Sequence, residues 1–345
     1  MRESHKKIID AVIEKANKLC PESLSLIGVY GSVCTKDEYA KSDLDLLIVI
    51  DDDRGWQLSK TFILDDEEIG YDIYCTTWEM LEDDAKCPHA HISKLMDSEI
   101  VYKRDDAALK RLEGLREKAK ELLNSEEIHE SVGKIRDYIC REYGYVVSVE
   151  TLGQKRNHAA YMISLCLDAV MLWNGRYYKR GVKHTFEELE GLSIPENFKE
   201  NIEDIITSES SSQLIDNATK LLKSVTAHIE HSKEKPAPAK EQIAGSYEEM
   251  FSNWRNKMYD AAERGDIFSS FMNLASLQAM LDDIGSEVKI QSYDLMEAFD
   301  HKKLLKNAET YDNALKQYEK EYEVVGIKAQ SYKNVDEFVA DYLKS

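Results

Sequence analysis

YGSVCTKDEYAKSDLDLLIVI, residues 30–50, joins an apolar run to two acidic residues at its start. The run Leu44–Ile50 predicts a buried strand, and Asp43 and Asp45 lie where it begins. Side chains two positions apart on a strand share a face, so the two carboxylates point the same way while the leucine between them points toward a core. Neighbouring carboxylates repel each other, and a shared divalent cation relieves that repulsion. The pair therefore predicts a metal site.

A glycine and a serine, Gly31 and Ser32, come shortly before this strand. Glycine lets the backbone turn tightly and approach a phosphate group. Serine offers a hydroxyl, and the amides that follow can cradle anionic oxygens. A phosphate held at this turn would face a metal bound to Asp43 and Asp45.

EEIGYDIYCTT, residues 67–77, supplies a third acid. Its residues predict a strand over Glu68–Thr76 with Asp72 in the middle. An unpaired charge is costly in such a setting, which favours a functional role. If this strand lies beside Leu44–Ile50, the three aspartates converge, and Asp72 is then the third metal ligand.

Composition narrows the class of partner. The 345 residues are 43% hydrophobic and carry a formal net charge of −20. This charge argues against a nucleic-acid substrate and favours cationic molecules. The six cysteines are scattered without a C-x-x-C pair, which indicates reduced thiols. No apolar run approaches the roughly 20 residues that span a bilayer, and the first 20 residues predict an amphipathic helix and not a signal peptide. We expect a cytoplasmic protein without a membrane partner.

The chain divides into three parts by pattern, and the fold class that they predict is α+β. Residues 1–105 mix helices with strands at Ser25–Gly28, Leu44–Ile50, Glu68–Thr76 and Glu99–Lys103. Residues 106–235 have helical periodicity throughout, which predicts an all-α bundle. A charged linker with two prolines, His231–Gln242, separates this bundle from a second helical region, 243–345.

The Gly-Ser pair, the ten residues after it, the DLD triplet and the later YDIY strand together resemble the nucleotidyltransferase superfamily of the DNA polymerase β type. The likeness covers about residues 20–105. A small catalytic domain followed by a helical bundle looks like antibiotic nucleotidyltransferases such as the kanamycin enzyme. The resemblance implies a mixed sheet flanked by helices, two Mg²⁺ ions, and transfer of a nucleoside monophosphate from ATP or another nucleoside triphosphate with release of pyrophosphate. It assigns phosphate binding to Gly31 and Ser32, and metal binding and catalysis to Asp43, Asp45 and Asp72.

A softer likeness covers LDAVMLWNGRYYKRGVKHTFEEL, residues 167–189. It is similar to the end of the bundle helix in these enzymes, where an asparagine, a tyrosine and a basic residue close over the site. The matching positions here are Asn174, Tyr177 or Tyr178, and Lys179 or Lys183. A lysine there would hold the triphosphate, and Lys183 is the predicted ligand.

The base that deprotonates the acceptor hydroxyl is expected on the bundle helices, within hydrogen-bond reach of that hydroxyl. Asp168 is the candidate because it is an acid on an otherwise apolar helix. Glu142 and Asp137 are the alternatives.

The favoured function is adenylation, or more generally nucleotidylation, of a small hydroxylated cation such as an aminoglycoside, which is a route to antibiotic resistance. A protein-modifying enzyme of the toxin–antitoxin type is one alternative, although the fused helical part counts against it. A non-catalytic nucleotide-binding regulator is another, although the complete set of Asp43, Asp45 and Asp72 counts against that one. The acceptor, the preferred nucleotide, the oligomeric state and the role of 243–345 stay open.

Overall fold

The computed structural model describes residues 1–35, 37–230 and 235–343. They form two compact units, residues 1–232 and 233–345. Residues 231–234 of the predicted linker lie outside the described residues. Its later part belongs to the second unit, because the carbonyl of Pro236 accepts a hydrogen bond from the backbone N–H of Lys289 at 2.8 Å. The predicted boundary at 105/106 falls inside the first unit and stays a prediction.

The first unit contains all the strands of the described residues. They are β1 Leu24–Tyr30, β2 Asp45–Ile50, β3 Lys60–Leu64, β4 Ile69–Ile73, β5 Cys75–Thr77 and β6 Glu99–Lys103. Four of them form a sheet in the order β5-β2-β1-β6, and β3 pairs with β4 in a separate ribbon. Strand β1 is antiparallel to β2 and β6, while β5 is parallel to β2. The sheet is therefore mixed, which confirms the α+β class.

The predicted strand Glu68–Thr76 is two strands, and this corrects the sequence interpretation. Strand β4 pairs with β3 and not with β2, and of these two strands only β5 pairs with β2. The chain leaves one sheet for the other at Tyr74, whose exposed ring lies 5.8 Å from that of Trp56. Strand β3 has no pattern of apolar residues from which it could be predicted, because most of its side chains are exposed or half-buried.

The central sheet separates two cores because successive side chains of a strand face opposite sides. Leu47 and Val49 of β2 pack into a core with the helices that follow the sheet. Leu46, Ile48 and Ile50 pack on the other side with the first helix. Asp45 shares its face with Leu47, so the sheet aims this carboxylate toward the helical side.

The helices of the first unit surround the sheet and then continue as a bundle. They are α1 Glu3–Leu19, α2 Ser32–Thr35, α3 Trp78–Asp84, α4 Ser93–Met96, α5 Asp106–Leu123, α6 Ile128–Ser148, α7 Leu152–Trp173, α8 Thr185–Glu188, α9 Phe198–Ile206 and α10 Ser211–Glu230. Short 3₁₀ helices cover Asp53–Leu58 and Val182–His184. Helix α7 begins with a capping box, in which Thr151 and Gln154 satisfy each other's free backbone N–H groups.

The second unit is helical, as the sequence predicts for 243–345. Its helices are α11 Lys240–Ile243, α12 Ser246–Met250, α13 Asn256–Arg264, α14 Ile267–Glu287, α15 Leu304–Val324 and α16 Val335–Tyr342, with one π-helical turn at Phe251–Arg255. Three tyrosines of α15 lie in its core, and each hydroxyl has a partner there. Tyr311, for example, donates to the carbonyl of Met250 at 2.6 Å. Across the described residues of both units, no helix combines the length and apolar character needed to cross a membrane.

Gly175 follows the end of α7, and it offers a test of the packing between α7 and α5. Its φ is +64°, and an added Cβ would lie 2.4 Å from the carbonyl oxygen of Leu123. Gly191 is the matched control because its φ is +78° with open space around the same position. We expect Gly191→Ala to lose about 1 kcal/mol of unfolding free energy and Gly175→Ala about 3 kcal/mol, since only the latter adds a backbone clash. Urea denaturation measures both, and equal losses would contradict the close approach.

Candidate functional site

A cleft opens in the first unit where β1 ends and β2 begins. Its volume is about 590 Å³. The residues that line it are Tyr30, Gly31, Ser32, Asp37, Tyr39, Ser42, Asp43, Asp45, Ser93, Lys179, Arg180, Gly181, Val182 and Lys183. It thus brings together six of the residues predicted from sequence: the Gly-Ser pair, two of the three aspartates, and both candidate lysines.

Gly31 allows the Asp45 carboxylate to lie against the backbone. Its φ is +70°, and an added Cβ would lie 2.0 Å from Asp45 Oδ2. The turn is stabilised by the amides of Cys34 and Thr35, which both donate to the Gly31 carbonyl at 3.1 Å. Any larger residue at position 31 would therefore push the carboxylate away. Glycine is therefore favoured at position 31 both by the tight turn expected from sequence and by the space that the Asp45 carboxylate needs.

Asp43 and Asp45 form an acidic pair without a counter-charge. Asp43 is exposed, and Asp45 is half-buried. Within the described part of the chain, neither carboxylate has a hydrogen bond or an ion pair. Burial, together with the charge of Asp43, raises the pKa of Asp45 to about 6. The arrangement leaves hard oxygen donors facing the cleft with no side-chain cation competing for them.

Tyr30 lies directly opposite Asp45 in the β1–β2 ladder. Residues paired in this way have neighbouring side chains on the same face. Burial raises the pKa of Tyr30 to about 12, helped by the negative charges of Asp45, Asp43, Asp84 and Asp72. The phenol therefore stays protonated at neutral pH and can donate a hydrogen bond into the cleft.

The structure does not bring Asp72 into the cleft. It is exposed on β4, opposite Thr61 of β3. The predicted pairing beside β2 holds only for Cys75–Thr77, and the strand segment that carries Asp72 pairs with β3. Consistent with this, residues 1–35, 37–230 and 235–343 contain no group of three or more His, Cys, Asp or Glu placed to hold a metal ion. Asp72 is close enough to influence Tyr30 electrostatically but does not line the cleft.

The opposite wall of the cleft is cationic and comes from residues 179–183, after α7. Arg180 makes two hydrogen bonds of 2.7 Å to the carboxylate of Asp37. These bonds hold the pKa of Asp37 well below its ordinary value. The backbone N–H groups of Lys179 and Arg180 donate to the carboxylate of Glu188 at 2.9 Å each, which fixes the segment.

The two lysines of this wall differ from Arg180 in their partners. Lys183 Nζ donates to the backbone carbonyl of Asp37 at 3.1 Å. Lys179 Nζ lies 5.4 Å from the centre of the Tyr177 ring. Among the described residues, neither ammonium has a carboxylate partner. Both charges are therefore available to an anion in the cleft.

Asp168, the predicted base, lies outside the cleft lining. It is buried in α7, and its Oδ1 accepts a hydrogen bond from the backbone N–H of Ala90 at 3.0 Å and lies 3.5 Å from His91 Nε2. Burial raises its pKa. The carbonyl of Ala90 in turn accepts from the N–H of Tyr178 at 2.8 Å. Asp168 thus supports, through Ala90, the chain that leads to the cationic wall.

Other residues expected near the site also have packing roles. Asn174 caps α7 and exchanges hydrogen bonds with the backbone of Ser193. Tyr178 is buried, and the hydroxyl of Tyr177 donates to Asp97 at 2.8 Å. Glu142 is buried with His158 Nδ1 at 2.8 Å from its carboxylate. These contacts connect positions far apart in the chain.

Sequence reasoning missed Asp37 and Arg180. Asp37 lies between the Gly-Ser pair and the DLD triplet, in a stretch interpreted only as a connection. Arg180 lies within the basic run YKRGVKH, in which only the lysines are predicted to bind the triphosphate. Neither position has a local pattern that reveals its partner 143 residues away.

Comparison with known proteins adds little. No protein-family model matches the chain, and no curated protein does. A solved structure that resembles it is a nucleotidyltransferase-like protein from Exiguobacterium sibiricum 255-15, with 13% sequence identity and a TM-score of 0.38. The match covers 75% of this chain and 91% of that one. A similarity this low carries no weight for the chemistry, which rests on the cleft residues.

The raised pKa of Asp45 predicts a pH-dependent effect of Asp45→Asn on stability. Between about pH 4 and 6 the folded protein holds a proton that the unfolded chain has released, so this group costs stability as pH rises through that window. Asparagine removes the cost. We expect Asp45→Asn to be more stable than wild type at pH 7 in chelator, on the order of 1 kcal/mol after solvent screening, with the difference vanishing below about pH 4.

Urea denaturation across this pH range measures the effect. Asp72→Asn is the control, because it removes an exposed carboxylate outside the cleft. The same pH profile in wild type and both variants would show that Asp45 carries no such penalty.

Proposed function

We propose that the chain is a Mg²⁺-dependent nucleotidyltransferase that transfers a nucleoside monophosphate, AMP when ATP is the donor, to a hydroxyl of a small cationic acceptor, with release of pyrophosphate. The observation that carries the proposal is the polarity of the cleft. Two carboxylates without a counter-charge, Asp43 and Asp45, and two ammonium groups without a carboxylate partner among the described residues, Lys179 and Lys183, line one space beside the Gly31–Ser32 turn. The resemblance of the Gly-Ser and DLD motifs to the superfamily agrees with this arrangement.

The acidic pair fits Mg²⁺ by its donor chemistry. Magnesium binds through one or two carboxylates together with water and substrate phosphates, and it does not need a cage of protein ligands. Asp43 and Asp45 would hold it. When bound, the ion neutralises phosphate charge and stabilises the charge that develops during phosphoryl transfer. A second ion, and Asp72 as a further ligand, stay predictions.

The chain's own side chains then have distinct tasks. Lys179 and Lys183 bind the triphosphate, because their ammonium groups have no competing carboxylate. The Ser32 hydroxyl beside the Gly31 turn donates to a phosphate oxygen. The protonated phenol of Tyr30 donates to an oxygen of the bound substrate. Asp168 is not proposed as the base, since it lies outside the cleft.

The acceptor class follows from charge. A protein with a formal net charge of −20 attracts cations by a Coulomb term that salt weakens. An aminoglycoside has the required hydroxyls and positive charges. The affinity for such an acceptor should fall clearly as salt rises from low to high.

A non-catalytic nucleotide-binding regulator is the second candidate. One observation favours it: Asp72 does not join Asp43 and Asp45, so the described cleft offers two carboxylates of the expected three. Such a protein would bind a metal–nucleotide complex without turning it over. Binding and turnover must therefore be measured separately.

Pyrophosphate release tests the enzyme directly. Each nucleoside triphosphate is supplied with Mg²⁺ and a panel of aminoglycosides and other hydroxylated amines. We expect release with at least one pair and a loss of roughly a thousandfold in Asp45→Asn, equivalent to about 4 kcal/mol of transition-state stabilisation. Nucleotide binding without release from any pair would favour the regulator.

Lys179→Gln tests the cationic wall. We expect roughly tenfold weaker binding of the Mg²⁺–nucleotide complex by calorimetry, because one charge-assisted contact is lost. Lys199→Gln is the matched control: its ammonium lies 5.2 Å from the Phe186 ring, a contact of the same kind, but it does not line the cleft. Equal nucleotide affinities in the two variants would show that Lys179 does not contribute to nucleotide binding.

A further inference from the structure

The Asp37–Arg180 pair joins two distant parts of the first unit at the cleft. Arg180 Nε donates to Asp37 Oδ2 and Nη2 donates to Oδ1, both at 2.7 Å. Two parallel charge-assisted bonds of this kind fix orientation as well as distance. The Asp37 side chain is only 12% exposed, so water competes weakly for it.

Arg180 is committed to partners of the protein itself. Besides the two bonds to Asp37, its Nη1 donates to Glu187 at 2.8 Å, and Nη2 lies 3.0 Å from His184 Nε2. Each of the three guanidinium nitrogens therefore already has a partner. Although Arg180 lines the cleft, these contacts use four of its five N–H donors, which leaves at most one for a phosphate. Its role must differ from that of the neighbouring lysines.

The loop that Asp37 anchors also carries Asp43. Residues 37–44 contain no helix or strand, so isolated backbone hydrogen bonds, such as that from the Ser42 N–H to the Tyr39 carbonyl at 3.0 Å, and side-chain contacts hold them in place. Two other ion pairs hold this loop without Arg180: Lys41 with Glu68 at 2.8 Å, and Glu38 with Arg2 at 3.0 Å. Breaking the Asp37–Arg180 pair should therefore loosen the loop without unfolding the protein.

We propose that Arg180 is a positioning residue, which holds the loop through Asp37 so that Asp43 stays beside Asp45 and the two bind a divalent cation. The inference rests on the proposed function, because it takes the Asp43–Asp45 pair as the metal site. Mutual repulsion drives the two carboxylates apart when no cation is bound. A restrained loop opposes this separation and reduces the conformational entropy that is lost on binding. Residues that hold metal ligands in place typically change metal affinity by ten- to a hundredfold when they are replaced.

A double-mutant cycle with Mn²⁺ alone as the probe tests the inference, with affinity measured by calorimetry on the full chain. We expect Arg180→Gln and Asp37→Asn each to weaken Mn²⁺ binding about tenfold. The double variant should be no weaker than either single one, because both remove the same contact. Arg180→Lys, which keeps the charge but loses the paired geometry, should fall in between, and it preserves the test if Arg180→Gln does not fold.

Arg54→Gln is the matched control. Arg54 forms a comparable pair with Asp52, with Nη2 2.7 Å from Oδ2, but outside the cleft. Arg54→Gln should leave Mn²⁺ affinity unchanged. Thermal unfolding of this variant then shows how much stability is lost when an arginine–aspartate pair outside the cleft is broken.

Three results overturn the inference. Unchanged Mn²⁺ affinity in Arg180→Gln means that the Asp37–Arg180 pair stabilises the fold but does not position the metal ligands. Additive losses in the double variant mean that Asp37 and Arg180 affect Mn²⁺ binding separately and not through their shared contact. If the wild-type protein binds no Mn²⁺, both the metal site and the positioning role of Arg180 are ruled out. If wild type and variants bind Mn²⁺ as expected but wild type releases no pyrophosphate, the enzyme proposal fails while the role of Arg180 stands.

Discussion

Asp43 and Asp45 place two negative charges close together at the start of a strand whose other residues are buried. The surrounding residues hold the two carboxylates in place although they repel each other, and no positive charge among the described residues neutralises them. Strand β2 holds Asp45 in register opposite Tyr30. Gly31 keeps a side chain out of the space that the carboxylate occupies. A pKa of about 6 for Asp45 reflects the penalty that results. A site that tolerates such a penalty in its free form gains most when a cation arrives, because the cation removes the burial cost and the repulsion together.

The cationic wall depends on packing that lies well away from it. Residues 179–183 follow the turn at Gly175, which closes against the end of α5. Tyr178 is then fixed by the carbonyl of Ala90, whose N–H is held by Asp168. Asp168 therefore affects the site through two backbone hydrogen bonds, which explains why a carboxylate is buried in an apolar helix.

The features that depend on local sequence were predictable, and those that depend on pairing between distant residues were not. Strand β2, with alternating cores on its two sides, follows from an apolar run, and the Gly31 turn follows from the glycine itself. Asp72 was misplaced because its local pattern shows that it lies in a strand but not which strand pairs with it. Asp168 was taken for a base because an acid in an apolar helix has the same local pattern whether it is catalytic or bonded to a distant amide. The Asp37–Arg180 pair spans 143 residues and has no local signature.

Charge balance in the cleft bears on how many ions the proposed reaction uses. Among the described lining residues there are three carboxylates and three cations, and Asp37 and Arg180 neutralise each other. The remaining Asp43, Asp45, Lys179 and Lys183 sum to zero. A triphosphate brings roughly four negative charges at neutral pH, since its inner groups carry one each and its terminal group nearly two. One Mg²⁺ would leave an excess of about two negative charges in a partly buried space, whereas two ions would balance it.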